Sequence, residues 1–310
     1  MRILVMGAGG VGGYFGAQLA RAANDVAFVA RGKHLAALRD NGLRLESEIA
    51  PVHLAKVAAD DDPGRLGMAD VVMFCTKLWD VEEAGRRTAP ALAADGIVIP
   101  FQNGVESHLM LRKVLGDERV AGGVAQISAT IKAPGVIEQV GPFARLRIGS
   151  FAPAQEARVR AFADACTGAG IDVEVVPDIE RALWEKFVFL VAMSGLTSLA
   201  RQPVGVIRAD PDLRAALVGA IEETVAVARA RHVALDRDVV AATLKLVDLL
   251  PAGMRASMLN DLARGNRLEA PWLAGAVVRM ARESGLAAPV NATIYAALKP
   301  YLGGAPQASA

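Results

Sequence analysis

The sequence has 310 residues, 53% of them hydrophobic and 22% charged, which is enough apolar material to bury a core in each of two domains. Lys and Arg number 34 against 33 Asp and Glu, so no basic excess points to nucleic acid or to an anionic membrane, and any anion must be bound locally.

The first predicted strand begins at Arg2 or Ile3, leaving no room for the charged and apolar regions of a secretory leader. Directly after it, "GAGGVGG" sets Gly7, Gly9 and Gly12 in the G-x-G-x-x-G pattern between a strand and a helix. Gly7 permits a tight turn, Gly9 lets backbone approach a pyrophosphate, and Gly12 allows helix to pack closely on strand. The helix start supplies unpaired N–H groups and the positive end of the helix dipole. Gly7, Gly9, Gly10, Val11 and Gly12 are therefore the candidates for holding a dinucleotide.

About twenty residues further on, "FVAR" ends the second predicted strand in Arg31, where an NAD enzyme would carry an acid for the ribose 2′-hydroxyl. A guanidinium pairs instead with a 2′-phosphate, so Arg31, with Lys33 nearby, argues for NADP(H). The competing reading is a solvated arginine at a strand end.

Up to about residue 177, Val- and Ile-rich runs ("RILVMG", "DVAFVA", "ADVVMFC", "GIVIPF", "VEVV") alternate with helical segments, the pattern of βαβ units and a mostly parallel sheet. "FCTKLWD" puts Lys77 just past a strand, and "PFQNGVE" puts Asn103 in the next strand-to-helix loop. Both stand at carboxyl ends of strands, where open α/β sheets bind ligands, although Lys77 alone reads equally as surface and Asn-Gly as an ordinary turn. The two cysteines, Cys75 and Cys166, make neither a disulfide framework nor a zinc site and read as buried, inert thiols. The four histidines lack ligand spacing, so no metal is expected.

After Pro177 the strands stop and helices follow, with Asp178 placed as an N-cap. The expected domains are residues 1–177, Rossmann-type with a mostly parallel sheet, and residues 178–310, all-helical. The apolar run "FVFLVAMSGL" is too short to span a bilayer. Lys186, in "ALWEKFVFLVAMSGL", lies on a helix apolar nearly all round, so it either snorkels to solvent or stands at a cleft. In a desolvated cleft its pKa falls toward neutrality and it can protonate a carbonyl oxygen as hydride arrives. Leu190 and Ser194 follow on the same helical face. "RASMLNDLARGNRLEAPW" adds Ser257 and Glu269, which alone would be a capping hydroxyl and a solvated acid.

Together, the N-terminal "GAGGVGGYFGAQLARAANDVAFVAR", "CTKLWD", "QNG", "WEKF", "SMLNDLARGNRLE" and "GLAAPVNATIYAALK" resemble the ketopantoate reductase (2-dehydropantoate 2-reductase) family, in order and over essentially the whole chain. The resemblance implies a Rossmann domain binding NADPH and a helical domain, with a 2-oxo acid in the cleft between them. By motif, Arg31 would hold the 2′-phosphate and Lys77 and Asn103 would line the nicotinamide and substrate region. Lys186 would be the general acid, Ser257 would help bind the 2-oxo acid, and Glu269 would orient the substrate or Lys186. Family enzymes present asparagines one and two turns beyond the catalytic lysine, where this chain has Leu190 and Ser194; Ala270 and Pro271 also replace the usual aliphatic-acid pair.

The default expectation is reduction of ketopantoate to pantoate by a cytoplasmic enzyme that uses neither nucleic acid nor membrane, a homodimer being allowed. One alternative is a dehydrogenase of the same architecture acting on a less polar 2-oxo acid or an imine. Another is an NADP-binding regulatory protein without turnover, against which Lys186 and Glu269 count.

Overall fold

The computed structural model describes residues 1–305. In the first part, β1 (Arg2–Met6), α1 (Gly10–Arg21), β2 (Asp25–Val29) and α2 (Gly32–Asn41) are followed by three short strands, β3 (Leu43–Glu46), β4 (Val52–Leu54) and β5 (Ala58–Asp60). Then come β6 (Ala69–Phe74), α3 (Val81–Thr88), β7 (Leu92–Pro100), α4 (Ser107–Leu115), a hairpin of β8 (Gly122–Ala133) and β9 (Val136–Gly149), α5 (Glu156–Gly168) and β10 (Asp172–Val175).

Two sheets result. The first has the order β5-β2-β1-β6-β7, parallel throughout. Its central strands are buried on both faces, which is why they read as continuous apolar runs. The second sheet was not expected. Its backbone is β9, which pairs antiparallel with β8 along one edge and parallel with β3 and then β10 along the other, while β4 closes on β3. The "VEVV" run therefore contributes to this sheet, not to the parallel one.

Helix α1 lies between the sheets and has almost no side chain where it meets them. A Cβ on Gly16 would stand 2.6 Å from Phe28 and 2.8 Å from Val5 in the first sheet. A Cβ on Gly13 would stand 2.7 Å from Ile137 in the second, and one on Gly10 would collide with the backbone carbonyl of Ala129 on β8. The same core joins Phe15, Phe28, Met73 and Ile99 with Ile137, Leu146 and Ile148. The glycines beyond the dinucleotide fingerprint are thus a packing requirement.

The rest is helical: α6 (Ile179–Ala200), α7 (Val204–Ala209), α8 (Pro211–Ala230), α9 (Val239–Leu249), α10 (Ser257–Ala263), α11 (Ala274–Glu283) and α12 (Pro289–Leu298). The N-cap expected at Asp178 is present, its Oδ1 accepting from Arg181 N–H at 2.9 Å. Asp210 caps α8 in the same way, ahead of Pro211. Glu223 of α8 accepts from the backbone N–H groups of Val290 and Asn291, satisfying the start of α12. The run "FVFLVAMSGL" sits inside the 22-residue α6, which has the length and apolar composition of a membrane span but is mostly buried within the protein.

Contacts divide the chain into two units. One is Met1–Gln102 with Glu106–Ala182, and the other is Asn103–Val105 with the chain from Leu183 onward. The division falls inside α6, a few residues past the expected 177/178 boundary, and transfers the Asn103 turn to the helical unit.

The glycine packing yields a test by urea unfolding. Gly16→Val should lower stability by about 1–3 kcal/mol, because Phe28 and Val5 must yield. Gly9→Ala, whose Cβ meets nothing within 4 Å, should cost less than about 1 kcal/mol.

Candidate active site

The turn after β1 is anchored to β2. Gly7, at φ +105°, takes a conformation open to glycine, and a Cβ there would press to 2.9 Å on the Cys75 carbonyl. Gly7 and Ala8 N–H both donate to Val29 O, at 3.2 and 2.9 Å. His34 fixes the turn from outside: its Nε2 donates to Ala8 O at 2.8 Å, and its Nδ1 accepts from Gly135 N–H at 3.1 Å. That pattern assigns the neutral tautomer with the proton on Nε2, and burial holds the imidazole pKa below its ordinary value.

Gly9 is the N-cap of α1, and no side chain caps that helix or places an acid in its first turn. The space around Gly9 is clear for 4 Å in the direction a Cβ would take. Uncapped N–H groups, a positive dipole end and room beside bare backbone together fit a dinucleotide's pyrophosphate.

Arg31 stands at the N-cap of α2, exposed, with its guanidinium Nη1 3.7 Å from Asp80 Oδ2. Lys77 is also exposed and sets its ammonium 5.6 Å from the Trp79 ring centre. Beneath it, Thr76 Oγ1 is buried with no hydrogen-bond partner, as are both amide atoms of Gln102. These residues follow β6 and β7, whose paired ends, Phe74 and Pro100, bring them out at the same sheet edge. Unpaired buried polar atoms at that edge suit a ligand with donors and acceptors of its own. Cys166 is buried as expected, and its thiol is pushed up to about 12 by desolvation. Cys75 departs from the expectation: it is half-buried, because it leaves the sheet beside the glycine turn, yet burial of its thiol still raises the pKa far above the usual range.

The second group of candidates meets in the helical unit. Lys186 Nζ donates to Asn103 Oδ1 at 2.9 Å, and Asn103 Nδ2 donates to Glu269 Oε2 at 3.5 Å. The sequence sets this up with "QNG". Gly104 turns at φ +91° and lies so close to the segment after Glu269 that a Cβ would stand 3.2 Å from Trp272 O. Lys186, half-buried on α6, has its pKa lowered to about 8, chiefly by desolvation, with Glu269 pulling it back up. An amine so tuned is mostly protonated at neutral pH yet gives up its proton readily.

The remaining candidates are Ser194, Leu190 and Ser257. Ser194, two turns past Lys186, is only 1% exposed, and its hydroxyl has no hydrogen-bond partner; Ser198 repeats the situation one turn later. Leu190, between Lys186 and Ser194, is half-buried. Ser257 is the exposed first residue of α10 and does not cap it, since Ala256 holds the cap position. Sequence reasoning missed His34, Gln102, Thr76 and Asp80. Of these, Asp80 alone left a visible signal, as the acid three residues after Lys77.

Comparison with known proteins gives the family. Residues 3–153 match the family model described as ketopantoate reductase PanE/ApbA, and residues 178–302 match its C-terminal counterpart. The chain is 31% identical to an uncharacterized oxidoreductase, YkpB, of Bacillus subtilis, over 97% of this chain and 99% of that protein. It is also 31% identical to a 2-dehydropantoate 2-reductase of Halobacterium salinarum, over 95% and 96% of the two chains. Among solved structures, a PanE/ApbA family ketopantoate reductase from Ralstonia eutropha JMP134 superposes with a TM-score of 0.89 at 33% identity, covering 97% of this chain and 98% of that one. With both parts of the family model matched and relatives more than 30% identical over nearly the whole chain, the chain belongs to the ketopantoate reductase family of oxidoreductases.

Proposed function

We propose that this protein reduces the carbonyl of a small 2-oxo acid to the 2-hydroxy acid with NADPH, ketopantoate being the default substrate, and that Lys186 donates the proton. The observation that carries the reading is the Lys186–Asn103–Glu269 array. A binding protein without turnover has no use for an amine desolvated to a pKa of about 8.

In this reading residues 1–177 hold the cofactor and residues 178–310 supply the substrate side. Gly7, Gly9, Gly10, Val11 and Gly12 receive the pyrophosphate, Arg31 the 2′-phosphate, and Lys77 and Asn103 are assigned, as the family resemblance implies, to the nicotinamide and substrate region. When bound, the cofactor supplies hydride to the carbonyl carbon. Lys186 stabilises the negative charge developing on the carbonyl oxygen and transfers its Nζ proton there. Asn103 holds the ammonium in one direction by accepting from it. Glu269 favours the charged amine and, through Asn103, keeps the amide from flipping. Ser257 and Ser194 assist in binding the acid, in a cytoplasmic enzyme for which a homodimer is allowed.

A second reading, of a less polar 2-oxo acid as substrate, is favoured by Leu190, which offers no hydrogen bond one turn beyond Lys186.

The proton-donor role predicts that kcat/KM for reduction is flat below a pH of about 8 and falls about tenfold per unit above it, because the deprotonated amine has no proton to give. Glu269→Gln should move that limb to lower pH, since a charge favouring the ammonium is removed. Lys186→Ala should lose on the order of a hundredfold or more in turnover while NADPH binding, followed by fluorescence, is retained. Full activity in that variant would remove Lys186 from the mechanism.

For the cofactor, Arg31→Ala should weaken NADPH roughly tenfold or more and leave NADH little changed, as expected for losing a charge-assisted contact. Substrate choice is read from the kcat/KM ratio of ketopantoate to 2-oxoisovalerate, its deoxy counterpart. A site built to hydrogen-bond the hydroxyl gives about 10⁴–10⁵, whereas a merely accommodating one gives roughly 10² or less. The expected ratio is at or below the lower figure, and Leu190→Asn should raise it.

A further inference from the structure

We infer that Asp80 sets how strongly this protein prefers NADPH over NADH, by competing with the cofactor's 2′-phosphate for Arg31; the inference rests on the NADPH reading above. The strand order β2-β1-β6 places the segments after β2 and β6 on either side of the glycine turn that follows β1. Arg31 comes from the first of these and Asp80 from the second, and their side chains meet with 3.7 Å between Nη1 and Oδ2. The ion pair therefore spans the carboxyl end of the strand from which the dinucleotide turn departs.

Two features leave Asp80 available for this role. It ends a single helical turn, Leu78–Asp80, and stands at the N-cap of α3, but its side chain makes no capping hydrogen bond there. Its carboxylate is turned to Arg31, where a carboxylate would ordinarily be drawn to the helix start. Both partners are also substantially in solvent, with side-chain exposures of 53% and 38%. A pair this open and this long is screened and weak, so a ligand can break it.

The two cofactors make different demands on the pair. A 2′-phosphate brings about two negative charges and three acceptor oxygens, enough to win the guanidinium, but only after Asp80 is displaced. A neutral ribose 2′-hydroxyl leaves the pair intact. Asp80 therefore weakens NADPH selectively and has little effect on NADH. Asp80→Asn keeps the side chain's shape and removes its hold on Arg31.

The test is the dissociation constant of NADPH and of NADH, from nucleotide fluorescence with the full-length protein, for the wild type, Asp80→Asn, Arg31→Ala and the double variant, each checked for an unchanged melting temperature. Asp80→Asn should tighten NADPH about two- to fivefold and leave NADH unchanged, the size expected when an exposed ion pair no longer has to be broken. In the Arg31→Ala background the same change should have less than about a 1.5-fold effect. If Asp80→Asn leaves NADPH binding unchanged or weakens it while Arg31→Ala weakens it strongly, the competition is refuted and the NADPH reading stands. Equal tightening with and without Arg31 would mean direct repulsion of the phosphate by Asp80, which also overturns the competition. If Arg31→Ala leaves NADPH binding unchanged, the NADPH reading itself fails.

Discussion

The architecture of the first unit depends on one steric constraint, the approach of α1 to two sheets at once. A helix normally keeps its neighbours some 8–10 Å away with its side chains. Here Gly16 admits Phe28 and Val5 from the first sheet, while Gly10 and Gly13 admit Ala129 and Ile137 from the second. Because the helix is gripped by backbone and branched side chains on both sides, its N-terminus has a fixed position over β1. The donors that would face a pyrophosphate are thus aimed by the core, and His34 adds a further hold by bridging Ala8 and Gly135. Preorganised backbone donors need no rearrangement when an anion arrives.

The helical unit solves an electrostatic problem by different means. Desolvation alone would drive Lys186 toward its neutral form, and a direct carboxylate partner would lock it in the charged one. Asn103 accepts from the amine and donates to Glu269, while the Glu269 charge favours the ammonium against the desolvation that opposes it. The outcome, a pKa of about 8, balances the two tendencies.

The parts of this protein that sequence reveals are those fixed by neighbours along the chain. The glycine turn, the apolar strands of the parallel sheet and the Asp178 cap are local features, and each was readable from a few consecutive residues. The second sheet was not, because β3 and β4 are short and carry Arg44, Glu46 and His53, and β3, on which β4 closes, finds its other partner about ninety residues away on β9. Ser194 shows a different limit. Its helical offset from Lys186 is plain in the sequence, but a helix apolar on every side gives no periodic signal of which face is buried deepest. The meeting of Arg31 with Asp80 depends on the order of strands in the sheet, which no local motif records.

The short segment Asn103–Val105 has an evolutionary consequence. Chain otherwise belonging to the first unit lends three residues to the second, including the amide on which Lys186 rests. The helical unit is therefore not a self-contained cassette. A recombination that replaced everything from Leu183 onward with the equivalent piece of a relative would import a new lysine and a new carboxylate but retain the old asparagine turn. Such an exchange would keep the lysine on its amide only where the donated piece sets its lysine over an asparagine turn placed as this one is.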